Sequence, residues 1–214
     1  MRIAFAQVFS PKRALEMLAK IQPISAPDIV LFPEYCFEAE HLGDLRAHSL
    51  RLRATAIVTA MLRDVRVPGG GVCRRNVALR FEAGAERKIY HKIKSELNSV
   101  SGDNSTSNLE AFRQQNQRPD RIFISICNDK ENAKPVIVPP AIWLIPARDG
   151  TSISAIVPPA EFVGHIVFAN GHQSPGRSSY WMQVEHPRVV GASDPEPRLV
   201  IPPNEQRIET ISVA

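Results

Sequence analysis

The sequence predicts an α/β fold in which helices pack on a mixed sheet. Three observations predict it. Short apolar runs suited to strands alternate with amphipathic helical spacing through residues 1–63. A hairpin pattern then breaks the alternation around Gly84. After a polar stretch, further strand-like runs follow, so the order is β-α-β-α-ββ-loop-β-β. That order mixes crossover units with hairpins and is not that of an all-β barrel.

Each element has its own warrant. Ile3 to Val8 alternates and reads as a strand. Leu15, Leu18 and Ala19 follow Pro11 at helical spacing, with proline suited to the first turn. Asp28-Ile-Val-Leu-Phe-Pro-Glu34 is a continuous apolar run, the pattern of a strand buried on both faces. Residues 42–63 carry Leu45, Leu50, Leu52, Ala56, Ile57, Ala60 and Met61, which predicts a second amphipathic helix. Gly69-Gly70-Gly71 is a loop, and Asn76–Phe81 with Arg87–Lys94 forms the hairpin about Gly84. Residues 95–120 are rich in Ser, Asn, Gln and Asp and read as a polar loop longer than usual connections. Ile122–Cys127 is the next strand, and Pro135–Pro140 another short one. Twelve of the 18 prolines lie between Pro135 and Pro203, so the back third is loop-rich, with short strands near His165–Ala169 and Ile208–Val213. Neither repeats nor a clear linker divide residues 1–214, which read as one domain.

Composition narrows the classes. Apolar content of 43% and charged content of 22% are ordinary for a soluble globular protein. No apolar run approaches a membrane span, and the start resembles a strand more than a signal peptide. Three cysteines (Cys36, Cys73, Cys127) make no disulfide framework, and a reducing cytoplasm is expected. The net charge of +4 hides a basic middle: residues 46–94 carry a local +9 and the rest −5. A basic stretch can attract nucleic acid, but no aromatic stacking face or recognition helix accompanies it, and a solvated helix and hairpin is the plainer reading.

The chemistry gathers on three strands, at the ends of two of them and along the third. Cys127 closes the run Arg121-Ile-Phe-Ile-Ser-Ile-Cys127, at the edge where open α/β sheets build sites. A thiol needs a base or cation to become a good nucleophile. Glu34 offers the base. Lys92 offers the cation, for the thiolate and for the anion formed when an unsaturated carbon is attacked, and the backbone N–H of Asn128 offers a second donor. Each has a bland alternative: a solvated carboxylate, a surface lysine, an inert core thiol. Cys36 competes as a thiol, and Lys88, Lys92 and Lys94 share one strand face by alternation.

The ordered motifs resemble the nitrilase superfamily of carbon–nitrogen hydrolases. Arg2-Ile-Ala-Phe-Ala-Gln7 is similar to that family's first strand, and Asp28-Ile-Val-Leu-Phe-Pro-Glu34 to its glutamate motif. Asn76-Val-Ala-Leu with Lys88-Ile-Tyr-His-Lys92-Ile resembles its lysine motif, and Ile124-Ser-Ile-Cys127-Asn-Asp129 its cysteine motif. Pro139-Pro-Ala-Ile-Trp143 and Phe168-Ala-Asn170-Gly are fainter echoes of later segments. The resemblance implies a four-layer-type α-β-β-α sandwich with two mixed sheets flanked by helices, usually dimerised. It implies a Glu34-Lys92-Cys127 triad, a thioester intermediate, a small amide-type substrate, and neither metal nor organic cofactor.

The chain also departs from the family pattern. It is shorter than the usual domain, with only Lys130–Lys134 where a helix should follow Cys127, and Pro158-Pro159 would break a later one. Asn128 replaces a bulkier residue after the nucleophile. Glu96 and Glu110 are candidates for a supporting second glutamate, with Glu96 favoured by its nearness to Lys92. Trp143 and Trp181 read first as packing residues, although Trp143 could line a pocket beside the nucleophile. The six histidines form no zinc spacing, and the glycine triplet lacks the lysine of a phosphate loop. Two functions follow as expectations: an amidohydrolase with an aliphatic amide as the default substrate, or a catalytically idle relative that binds a ligand or partner.

Overall fold

The computed structural model describes residues 1–66, 71–92, 113–116, 121–129, 141–148, 158–172, 178–187 and 195–213, with the side chains of 65, 66, 73–75 and 128 excepted. In chain order the elements are β1 (Arg2–Gln7), α1 (Pro11–Lys20), β2 (Ile29–Glu34), α2 (Leu42–Leu52), β3 (Ala56–Arg66), β4 (Val72–Glu82), β5 (Ala85–His91), β6 (Ile122–Ile124), β7 (Ala141–Ala147), β8 (Gly164–Asn170), β9 (Ser179–Val184), β10 (Leu199–Ile201) and β11 (Arg207–Ser212). They build two mixed sheets, ordered β11-β1-β2-β3-β4-β5 and β10-β9-β8-β7-β6. Strands β1, β2 and β3 run parallel, as do β6, β7 and β8, and the other pairings are antiparallel.

Two apolar layers follow from the side-chain alternation. One lies between the sheets and includes Phe5, Leu31, Tyr90, Trp143, Phe168 and Tyr180. The other joins the first sheet to the helices through Leu18, Phe32, Phe37, Leu45 and Phe81. Burying side chains of this size contributes about 1.5–3 kcal/mol each. Helix α1 starts where Ser10 Oγ accepts from Arg13 N at 3.4 Å and Pro11 takes the first turn, and it buries Ala14, Met17 and Leu18. The hairpin of β4 and β5 turns on Ala83 and Gly84, with φ of 48° and 81°, the two left-handed positions of a type I′ turn. Among the described residues, no helix is long and apolar enough to cross a membrane.

Two expected elements are corrected. The helix expected over 42–63 stops at Leu52, where Arg53 takes φ 45°, and residues 56–66 form β3 instead. The positions 56, 57, 60 and 61 mimic helical spacing because β3 is buried on both faces. Ala56, Val58 and Ala60 face the second sheet, while Ile57 and Met61 face the helices. The β-branched run Ile57-Val58-Thr59 favours the strand. The strand expected over Ile122–Cys127 ends at Ile124, and Cys127 opens a 3-10 turn. Strands β7, β9 and β10 add to the expected set. The segments 95–112 and 117–120 of the polar loop, the glycine triplet's residues 69 and 70, and the strand expected at Pro135–Pro140 lie outside the described residues.

Candidate functional site

Glu34 reaches the space between the sheets through a β-bulge. On β2, Ile29 and Leu31 face the second sheet and Val30 and Phe32 face the helices. Strict alternation would therefore turn Glu34 toward the helices. Instead the register with β3 shifts, so that Leu31 pairs with Val58 but Glu34 with Ala60. Three steps on β2 match two on β3, and the extra residue re-aims Glu34 inward. Pro33 suits this place because it has no N–H to leave unpaired. Its carbonyl accepts from Thr59 Oγ1 at 3.1 Å, and Tyr35 N resumes the ladder to Ala60 O at 2.8 Å.

A second bulge selects the lysine. Ala78 pairs with Tyr90, but the next β4 residue, Leu79, pairs with Lys88, leaving Ile89 as the extra residue on β5. Leu79 faces the helices, so Lys88 does too, and it is exposed. Tyr90 lies in the inter-sheet core, and Lys92 N donates to Asn76 O at 2.8 Å with its side chain buried. The alternation expected to group Lys88 with Lys92 is thus broken by the bulge, and Lys94 lies outside the described residues. His91 stands opposite Val77 on the helix side.

Cys127 follows where the chain leaves the second sheet. Ser125 N still donates to Leu144 O at 3.2 Å, and Asp129 N then closes the turn on Ile126 O at 3.0 Å. Cys127 takes φ 49°, a left-handed conformation that costs a non-glycine residue about 1–3 kcal/mol, a strain concentrated at functional positions. Cys127 is 3% exposed, within the inter-sheet cluster.

The three elements meet at one rim, the carboxyl ends of β2, β5 and the β6 segment. Lys92 Nζ lies 2.8 Å from Glu34 Oε1, and Asn76 Nδ2 donates to the same oxygen. Arg148 N donates to Oε2 at 3.1 Å from the end of β7. Burial by itself pushes the Lys92 ammonium down, but the charge and hydrogen bond of Glu34, with smaller pushes from Cys127 and Tyr35, hold it above its ordinary value. Cys127 is therefore within electrostatic reach of Lys92. Cys36 is the contrast: buried with no compensating cation, its thiol is pushed far above the ordinary range. A thiolate is favoured by a nearby cation, and only the 127 position has one of these two.

The remaining expected residues fall variously. Trp143 is fully buried, and its indole N–H donates to Ser125 Oγ at 2.9 Å beneath the cysteine turn. Asn128 follows Cys127 in the 3-10 turn, its side chain outside those described. Glu96 and Glu110 lie outside the described residues. Sequence reasoning assigned no role to Asn76, Asp129 or Tyr90, although all three sit inside the motifs. Tyr90 Oη donates to Asp129 Oδ2 at 2.8 Å, both fully buried. Gln115 and Asn116 were also missed. Gln115 bonds both backbone groups of His91, and Asn116 does the same to Ile124, so adjacent side-chain amides pair with the edge strands of both sheets. Their signal was weak, because any amide in a polar loop looks solvated.

The architecture is similar to that of glutamine-dependent NAD+ synthetase from Acinetobacter baumannii, with a TM-score of 0.55 and 13% identity over 98% of this chain and 44% of that one. The synthetase from Cytophaga hutchinsonii gives 0.48 with 13% identity, covering 100% and 42%. An N-terminal amidase solved with a Gln-Val peptide gives 0.45 with 16% identity, covering 69% and 47%. No protein-family model and no curated protein matches the sequence. The chain spans less than half the length of these structures. The likeness is one of fold alone: an α/β arrangement of two mixed sheets.

Proposed function

We propose that the chain hydrolyses a carbon–nitrogen bond of a small amide-type substrate through Glu34, Lys92 and Cys127. The buried Lys92–Glu34 pair, with Cys127 in electrostatic reach on the same rim, carries this reading. Glu34 takes the thiol proton as Cys127 Sγ attacks the carbonyl carbon. The oxygen becomes an anion beside the Lys92 ammonium and the Asn128 backbone N–H, a kind of donor whose loss typically costs about 10²–10³ in rate. The carbon–nitrogen bond breaks as Glu34 returns the proton to the leaving amine, which leaves a thioester. Water, deprotonated by Glu34, attacks that thioester, and the carboxylic acid departs as the thiol is restored. No step needs a metal.

A primary carboxamide such as that of glutamine is the first substrate to try, since the neighbour of like fold depends on glutamine. Ammonia release is measured for the wild type and Cys127→Ala. Turnover that disappears in a folded Cys127→Ala supports the reading, and full activity in that variant removes it. Iodoacetamide labelling gives the second arm. An activated thiolate reacts well below the ordinary thiol pKa, and an inert Cys127 would turn the reading toward a ligand-binding relative.

A further inference from the structure

We propose that the hydrogen bond between Tyr90 and Asp129 sets the spacing of Lys92 and Cys127, making Tyr90 and Asp129 positioning residues of the candidate site. Tyr90 lies two residues before Lys92 and Asp129 two residues after Cys127. The two chemical groups stand on different sheets. Strand β5 is the last strand of the first sheet and β6 the last of the second, and among the described residues no backbone ladder joins them. Among the described residues, side chains make the link between the lysine strand and the cysteine turn: the Gln115 and Asn116 amides along the edge strands, and the Tyr90–Asp129 bond beside the two groups.

The Tyr90–Asp129 bond suits that task. Its 2.8 Å length joins two side chains with no solvent exposure. Burial first, and then the Asp129 charge and hydrogen bond, push the phenol far above its ordinary range, so the proton stays on Tyr90 and the bond is donated to a carboxylate. Such charge-assisted bonds are the shorter and stronger kind. At one end, Tyr90 is fixed by pairing with Ala78 just beyond the bulge. At the other, Asp129 closes the cysteine turn on Ile126 O. A shift of either end moves an ammonium or a thiol directly.

The role rests on the reading of Cys127 as a nucleophile beside Lys92, but its first test needs no substrate. The iodoacetamide labelling rate of Cys127 is followed against pH by peptide mass spectrometry. The ionisable groups on the neighbouring elements are Lys92, Glu34, Tyr90 and Asp129. Tyr90→Phe keeps the ring and removes the donor. Its labelling profile is expected to move to higher pH, and turnover to fall by about tenfold to a hundredfold, the scale of sub-ångström to 1 Å misplacement. A folded Tyr90→Phe with the wild-type labelling profile overturns the proposal.

Should Tyr90→Phe not fold, Asp129→Asn and Asp129→Ala replace it. Both remove the charge, and only Asn keeps an acceptor for Tyr90. Labelling at neutral pH is expected to be about tenfold faster in Asp129→Asn, about one hydrogen bond's worth. Equal rates would overturn the proposal. A labelling shift in a protein that turns over no amide supports the positioning link and removes the hydrolase reading instead.

Discussion

Lys92 and Glu34 form a buried ion pair across two intervening strands, with Nζ 2.8 Å from Oε1 and side chains 7% and 1% exposed. Strands β3 and β4 separate β2 from β5 in the sheet, so no neighbouring-strand contact accounts for the pair. It exists because two bulges turn both residues into the inter-sheet space, where Asn76 on β4 donates to the same carboxylate oxygen.

Removing one partner should therefore be costly. Lys92→Met leaves a buried carboxylate without its cation and should destabilise the protein by about 3–5 kcal/mol. Combining it with Glu34→Gln removes the stranded charge, so the double variant should be more stable than Lys92→Met alone. Urea unfolding midpoints measure both. A cost below about 1 kcal/mol for Lys92→Met, the scale of an exposed pair, would contradict the burial argument.

The pair also sets a pH dependence. Lys92 in the folded chain holds its proton above the ordinary value of 10.5. A group raised on folding contributes stability that is fully present below its unfolded pKa and is lost as pH rises through the folded one. The stability gap between wild type and Lys92→Met should thus stay constant from pH 8 to pH 10 and close only above about 10.5. Unfolding midpoints at several alkaline pH values test this, and a gap that shrinks below pH 10 would show that burial, not Glu34, dominates.

The glutamate bulge is held by one hydroxyl. Thr59 Oγ1 donates to Pro33 O at 3.1 Å, and both are buried. Thr59→Val keeps the shape and strands the carbonyl, which should cost about 1–3 kcal/mol. Because that carbonyl precedes Glu34, amide turnover should fall as well. Wild-type stability and turnover in Thr59→Val would mean that the bulge is fixed by other contacts.

These relationships mark what the sequence can and cannot carry. The strand end at Glu34 was legible because an apolar run stops there, whereas alternation left Lys88, Lys92 and Lys94 equivalent and ran the strand before Cys127 past its true end at Ile124. Which way each side chain faces was not legible, because alternation fails at a bulge; Pro33 is the one local cue to the first, and nothing in Ile89 announces the second. By alternation, Glu34 belongs on the helix face and Lys88 beside Lys92, and both inferences are reversed by a single extra residue. Strand β3 was hidden for a different reason: burial on both faces erases the two-residue period that distinguishes strand from helix. The Gln115–His91 and Tyr90–Asp129 bonds span 24 and 39 residues, so no short window of residues displays them, and Asn116 was missed because an amide in a polar loop looks solvated.

Gly171 gives a probe of the bulge from the opposite sheet. It follows β8, with its N–H donating to Ala147 O at 3.0 Å. A Cβ placed there would meet Pro33 Cβ at 3.0 Å and the carbonyl oxygens of Glu34 and Val8 at 3.5 Å. The proline ring is rigid, so Gly171→Ala must push the bulge by a few tenths of an ångström. Overpacking of this kind costs about 1–3 kcal/mol. The displacement acts on the residue preceding Glu34, so turnover should fall by several-fold up to about tenfold, less than for a 1 Å misplacement. Gly171→Val should do worse on both counts. If Gly171→Ala matches wild type in unfolding midpoint and amide turnover, β2 and the second sheet are not in the close register that the bulge requires.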